Sequence, residues 1–147
     1  MNHYFIMGMY AAMCVAEASI HWCTIQVLKK SPKHDYLGFY RVGIGIMFLL
    51  FFHKSGVMWY WAAAYIIFAH LTIFNEALNI FRGKDVGYLD IDHDSDEEED
   101  STLDPIFYQI GRGQLGWLAL RLILLLAFTA NLIWYGNYSI TKWIQLL

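Results

Sequence analysis

Four apolar stretches, read on windows of about 19 residues, occupy most of this chain and leave it little to form except membrane-spanning helices. The first runs from about Tyr4 to Leu28 and stops at Lys29-Lys30-Ser31-Pro32, a basic brake followed by a helix breaker. The second, Tyr36 to His53, is too short after Arg41 to cross by itself, so it reaches spanning length by taking Tyr36-Leu37-Gly38-Phe39-Tyr40 as helix. The third, Val57 to Phe81, opens on Trp59-Tyr60-Trp61, aromatic anchors suited to a bilayer interface, and stops at Arg82-Gly83-Lys84. The fourth, Gly113 to Tyr135, contains the dense run Leu122-Ile123-Leu124-Leu125-Leu126 and ends at Trp134-Tyr135-Gly136. The expected fold is an all-α integral membrane protein, a bundle of four transmembrane helices forming a single membrane domain over 1–147.

Composition points the same way. Hydrophobic residues make up 58% of the 147 and charged residues 16%, where soluble domains run at roughly 45–50% and about 25%. The charge is also unevenly shared: positions 85–104 hold ten of the thirteen acids and none of the ten Lys and Arg, so the rest of the chain sets ten bases against three acids. The net charge of −3 therefore describes no real surface, and a basic nucleic-acid face has nowhere to sit. Signatures of soluble enzymes are also missing, with no phosphate loop, Gly-x-Ser-x-Gly or His-Glu-x-x-His.

Orientation follows from Lys and Arg near the helix ends. Lys29, Lys30, Lys33 and Arg41 flank the first connection, Arg82, Lys84 and Arg112 follow the third segment, and the opposite side has only Lys54 and Lys142. A multi-pass topology with both N- and C-termini on the non-cytoplasmic side is expected. Beyond Gly136, Ile140, Trp143, Ile144 and Leu147 recur at helical spacing, which predicts a short C-terminal interfacial amphipathic helix over 137–147.

Ionisable residues inside hydrocarbon cost about 2.5–3.5 kcal/mol each on insertion scales, which singles out Glu17, His21, His70, Glu76 and Arg121. Counted inward from Lys29, Arg82 and Gly113 as the cytoplasmic ends, Glu17 and His70 lie at equal depth, and His21, Glu76 and Arg121 lie nearer the ends. Glu17 and His70 thus form a midplane layer and the other three an inner one. His70 and Glu76 are six positions apart, about 120° around a helix, so one inward wedge does not serve both.

Glu76 and Arg121, with Asn79 and Gln114 nearby, read first as a buried interhelical ion pair that fixes packing. The alternative is a proton or cation path through Glu17, His21, His70 and Glu76, in which carboxylates and imidazoles exchange protons along a hydrated interior. A third reading places haem b between His21 and His70 in an electron-transfer subunit, because bis-imidazole ligation needs two histidines on different helices; no Cys-x-x-Cys-His attachment motif is present. Cys14 and Cys23, nine positions apart, fall on opposite helix faces and cannot bridge. They read as small buried hydrophobes.

The polar loop 84–111 contains Asp90, Asp92, Asp94, Asp96, Glu97, Glu98, Glu99 and Asp100. Such a run cannot bury enough apolar surface to fold alone, and it reads as a cytoplasmic-side docking element for a basic partner. Asp90, Asp92 and Asp94 reproduce the 1, 3, 5 ligand spacing of an EF-hand, but Ser95 stands where the turn glycine belongs and Ser101 where the bidentate Glu belongs. Weak Ca2+ or other divalent binding is therefore the alternative reading of the loop.

Small residues at Gly8, Ala12 and Ala16, and again at Gly38, Gly43 and Gly45, let backbones approach, whether inside the bundle or between copies. Ala16-Glu17 resembles the small multidrug-resistance transporters, whose first helix carries a central glutamate preceded by alanine. The likeness is confined to the beginning of the chain, and the acidic insertion before the fourth segment departs from that plan. The expected function is that of a non-catalytic integral membrane subunit of a homo-oligomer or larger membrane complex, surrounded by lipid and by other subunits. A proton- or cation-conducting channel or carrier centred on Glu17 is the alternative, and no cofactor is required by either.

Overall fold

A computed structural model describes residues 2–27, 34–88 and 104–145, with backbone alone for 34–38, 104–105, 107–108 and 136–145. Every element among the described residues is helical. The order is α1 (His3–Gln26), α2 (His34–Lys54), α3 (Trp59–Ala69), a π-helical stretch (His70–Phe74), α4 (Asn75–Phe81), α5 (Asp104–Gly111) and α6 (Gln114–Gln145). The third, π and fourth pieces run on as one 23-residue rod, Trp59–Phe81. Asp90 to Asp100, the expected docking or cation loop, lies outside the described residues.

Side-chain contacts give the helix directions. Along α1, Tyr10 meets Tyr65, Glu17 approaches His70, and Trp22 meets Phe81, so α1 and the rod run parallel. Arg41 reaches Glu17 while Phe48 meets Tyr10, so α2 runs antiparallel to α1. Arg121 reaches Glu76 and Tyr135 stacks on Trp61, so α6 runs antiparallel to the rod. An up-down-up-down arrangement results, with the rod in the middle packed on α1, α2 and α6.

The core is an aromatic and small-residue seam. On α1 it takes Ile6, Tyr10, Cys14 and Ala18, one residue per turn; Phe48 and Phe52 come from α2, Ala62, Tyr65, Ile66 and Ala69 from α3, and Leu132 from α6. Tyr10 meets Phe48 edge-on with centroids 5.0 Å apart, and Phe52 meets Tyr65 at 5.8 Å. The Tyr65 hydroxyl donates to the Met7 carbonyl at 3.3 Å, so this polar tip is satisfied inside the bundle.

Three local devices shape the ends. Asn2 caps α1 by accepting from the Tyr4 amide at 2.9 Å. Gly56, at φ +85°, turns α2 back into α3. At the other end Gly111 and Gly116 bring α5 against the first turn of α6, where a Cβ on Gly116 would collide with the Gly111 carbonyl oxygen.

Among the described residues two helices, Trp59–Phe81 and Gln114–Tyr135, are long and apolar enough to cross a membrane. α1 and α2, at 24 and 21 residues, match that length without matching the apolarity, because α1 carries Ser19, Thr24 and its ionisable residues and α2 carries three glycines and Arg41. The C-terminal region differs from expectation. Helical backbone continues unbroken through Gly136 to Gln145, so residues 137–145 extend α6 instead of starting a separate helix. One glycine costs a helix only about 1 kcal/mol, and no proline lies nearby to stop it. Likewise Asp104–Gly111, read as loop, is helical.

Candidate functional site

The rod divides the interior charges between two sides. On the side facing α6, Arg121 is 1% exposed and donates from Nη2 to Glu76 Oε1 and from Nη1 to the Leu71 carbonyl, both at 2.6 Å. Leu71 lies in the π-helical stretch, whose wider turn presents its carbonyl sideways to α6. The other Glu76 oxygen accepts from the Gly87 amide at 2.7 Å, and Asn79 donates to the Tyr88 carbonyl at 3.2 Å. Gly87 has φ +80° and sits against Leu118, so only a residue free to adopt left-handed backbone brings this amide onto the carboxylate. Both carboxylate oxygens and two of the guanidinium's nitrogens are therefore bonded, as a buried ion pair requires.

On the side facing α1 and α2 the second carboxylate is less completely satisfied. Glu17, 6% exposed, accepts at Oε1 from Arg41 Nε at 2.6 Å. Its Oε2 makes no hydrogen bond among the described residues and lies 4.0 Å from His70 Nδ1. The same ring nitrogen lies 3.9 Å from the Cys14 sulfur. Phe74, one turn beyond His70, organises the other faces: its ring stacks on the imidazole at 4.9 Å and 9°, and Arg41 places its guanidinium carbon 4.7 Å from the ring centroid. Glu17, His70, Cys14, Arg41 and Phe74 thus bring α1, α2 and the π-helical stretch to one point.

His21 meets Phe74 edge-on at 5.9 Å. His70 stacks on the same phenyl ring, so Phe74 lies against both imidazoles. Among the described residues, no group of three or more His, Cys, Asp or Glu side chains is arranged to hold a metal ion.

The five expected site residues therefore fall into two clusters, Glu17 with His70 and Glu76 with Arg121, and His21 borders the first through Phe74. Sequence reasoning missed Arg41, counting it with the basic connection between the first two segments. The signal was present: extending the second helix back to Tyr36, which its length demanded, also places Arg41 inside that helix. The roles of the Leu71 carbonyl and the Gly87 amide had no such signal, because a π-helical turn and a folded-back loop leave no pattern in side-chain chemistry. No protein-family model, curated protein or solved structure matches the chain.

Proposed function

We propose that this chain is a non-catalytic membrane subunit working in a homo-oligomer or a larger membrane complex. The observation that carries the reading is the pairing of its interior charges. Glu17 and Glu76 each bond a guanidinium from a neighbouring helix, so the polar groups tie helices together and leave a neutral interior. Truncating one partner of such a pair strands a charge, which makes the pairs register devices for the bundle.

The outer surface supports the membrane setting. Phe39, Ile46 and Leu50 of α2 and Ile123, Leu126 and Trp134 of α6 are all exposed. In water such flanks invite aggregation; in a bilayer they are ordinary surface for lipid and neighbouring subunits. In this reading α1, α2, Trp59–Phe81 and α6 all span, the termini share the outer side, and Asp90 to Asp100 docks a basic partner on the cytoplasmic side. The bias of Lys and Arg toward that side supports the orientation. Native mass measurement in gentle detergent tests the proposal: a multiple of 17.1 kDa or co-purifying subunits is expected, and a stable monomer overturns it.

A second reading, a proton- or cation-conducting channel or carrier, has one observation in its favour, the unbonded Glu17 Oε2 beside His70. It predicts pH-dependent ion flux from reconstituted protein that Glu17→Gln abolishes without changing assembly. Equal flux from both proteins, or none from either, removes it.

A further inference from the structure

The two interior carboxylates differ in a way that points to a ligand. Glu76 has both oxygens bonded, whereas Glu17 keeps Oε2 buried without a donor among the described residues. An unsatisfied carboxylate oxygen in a low-dielectric interior costs the desolvation of that oxygen, so a proton placed where it supplies the missing donor is favoured. The place is defined by distance. His70 Nδ1 lies 4.0 Å from Oε2 and 3.9 Å from the Cys14 sulfur, poised between an acceptor on one side and a thiol on the other.

We propose that Cys14, Glu17 and His70 form a binding site for a single proton, in which the imidazole exchanges a bond from the Cys14 thiol for a bond to the Glu17 carboxylate. In the proposed state without the extra proton, the neutral ring carries hydrogen on Nε2, which is itself buried without a partner among the described residues, and Nδ1 accepts from the thiol S–H. Uptake of one proton from water puts hydrogen on Nδ1, which now donates to Oε2 while the thiol keeps its own proton. No electron moves and no bond between heavy atoms changes. A small rotation about the imidazole torsion closes the 4.0 Å gap to a charge-assisted bond of about 2.8 Å.

The surrounding groups determine what this does. Tyr10, Cys14, Glu17 and His21 come from α1, Arg41 from α2, Tyr65 from α3, Glu76 from α4 and Arg121 from α6; Glu76 and Arg121 neutralise each other. The cluster of Glu17, Arg41 and His70 thus passes from neutral to +1. The imidazolium and Arg41 then share one carboxylate, and Arg41 is the side chain that fastens α2 to α1 and Phe74 at this level. Phe39 and Val42, its neighbours on α2, are exposed, so nothing described there replaces its hold. Proton occupancy is thereby converted into a looser N-terminal half of α2. The inference holds for a monomer as for a subunit, and a bound proton requires no path across the bilayer.

The test uses the full chain in phosphatidylcholine vesicles. With 15N-labelled histidine, the His70 signals, assigned by their absence in His70→Gln, are expected to pass from neutral to doubly protonated as the pH is lowered. In Glu17→Gln the midpoint is expected to fall by at least about one pH unit, as loss of a carboxylate at this range requires. Nitroxides on Ile20→Cys and Phe39→Cys, in a Cys23→Ser background, should show a broader distance distribution at pH 5 than at pH 8, and no such change in His70→Gln. A His70 that does not titrate, a midpoint untouched by Glu17→Gln, or distances indifferent to pH each overturn the proposal.

Discussion

Arg121 binds Glu76 and the Leu71 carbonyl at once, each at 2.6 Å, so one guanidinium on α6 closes both the charge of α4 and the widened turn before it. Arg121→Ala leaves the Glu76 carboxylate with the Gly87 amide alone and opens a space beside the rod. A loss of about 3–5 kcal/mol is expected, measured by unfolding in mixed micelles. The double replacement Glu76→Met with Arg121→Leu should recover most of it, because it removes both charges and refills the volume.

Arg41 and Glu17 form the corresponding pair on the opposite side of the rod, with Arg41 the more exposed partner. Arg41→Ala strands a buried carboxylate, and adding Glu17→Gln neutralises it. The double variant is therefore expected to be more stable than Arg41→Ala alone, by at least about 1 kcal/mol on a double-mutant cycle. Equal stability of the two would mean that the pair contributes nothing to holding α2.

Gly116 and Gly43 make a matched comparison. A Cβ at Gly116 strikes the Gly111 carbonyl, whereas a Cβ at Gly43 meets nothing within 4 Å. Gly116→Ala should destabilise by about 1–3 kcal/mol, since backbone must move to admit it. Gly43→Ala should be neutral or stabilise by up to about 1 kcal/mol through helix propensity alone. Thermal unfolding of the two variants side by side distinguishes steric from propensity effects.

The legible features were those written in the period and depth of the sequence. Apolar runs locate α1, α2, the rod and α6 to within a few residues at most ends. Counting depth from Lys29 and Arg82 puts Glu17 level with His70, and the two lie 4.0 Å apart. The offset of His70 from Glu76 around their helix means that one inward wedge does not serve both, and the rod carries an ion pair on each side. What escaped prediction depends on neighbours. The length of the second segment already places Arg41 inside a helix, but its partners Glu17 and Phe74 do not follow from that. Nothing in a single sequence says that the helix widens over His70–Phe74 or that Gly87 folds back onto Glu76. The break expected at Gly136 rested on a glycine and two aromatics, a signal too weak to end a helix.

The acidic run Asp90 to Asp100 is proposed to bind its partner through charge attraction, which salt screens. Co-purification of a basic partner should fall when that segment is deleted and fall progressively as salt is raised from about 0.1 to 1 M. Retention after deletion removes the docking role, and a calcium-dependent change in the segment's own spectrum would assign it to cation binding.

Sidedness is the most direct test of the membrane bundle on which the function rests. Single cysteines at Asn2 and Ser95, in a Cys23→Ser background that keeps the buried Cys14, are labelled in sealed vesicles with a maleimide that cannot cross the bilayer. Four spans place these two positions on opposite sides, so one is labelled before the vesicles are opened and the other only afterwards. Labelling of both from the same side contradicts the account.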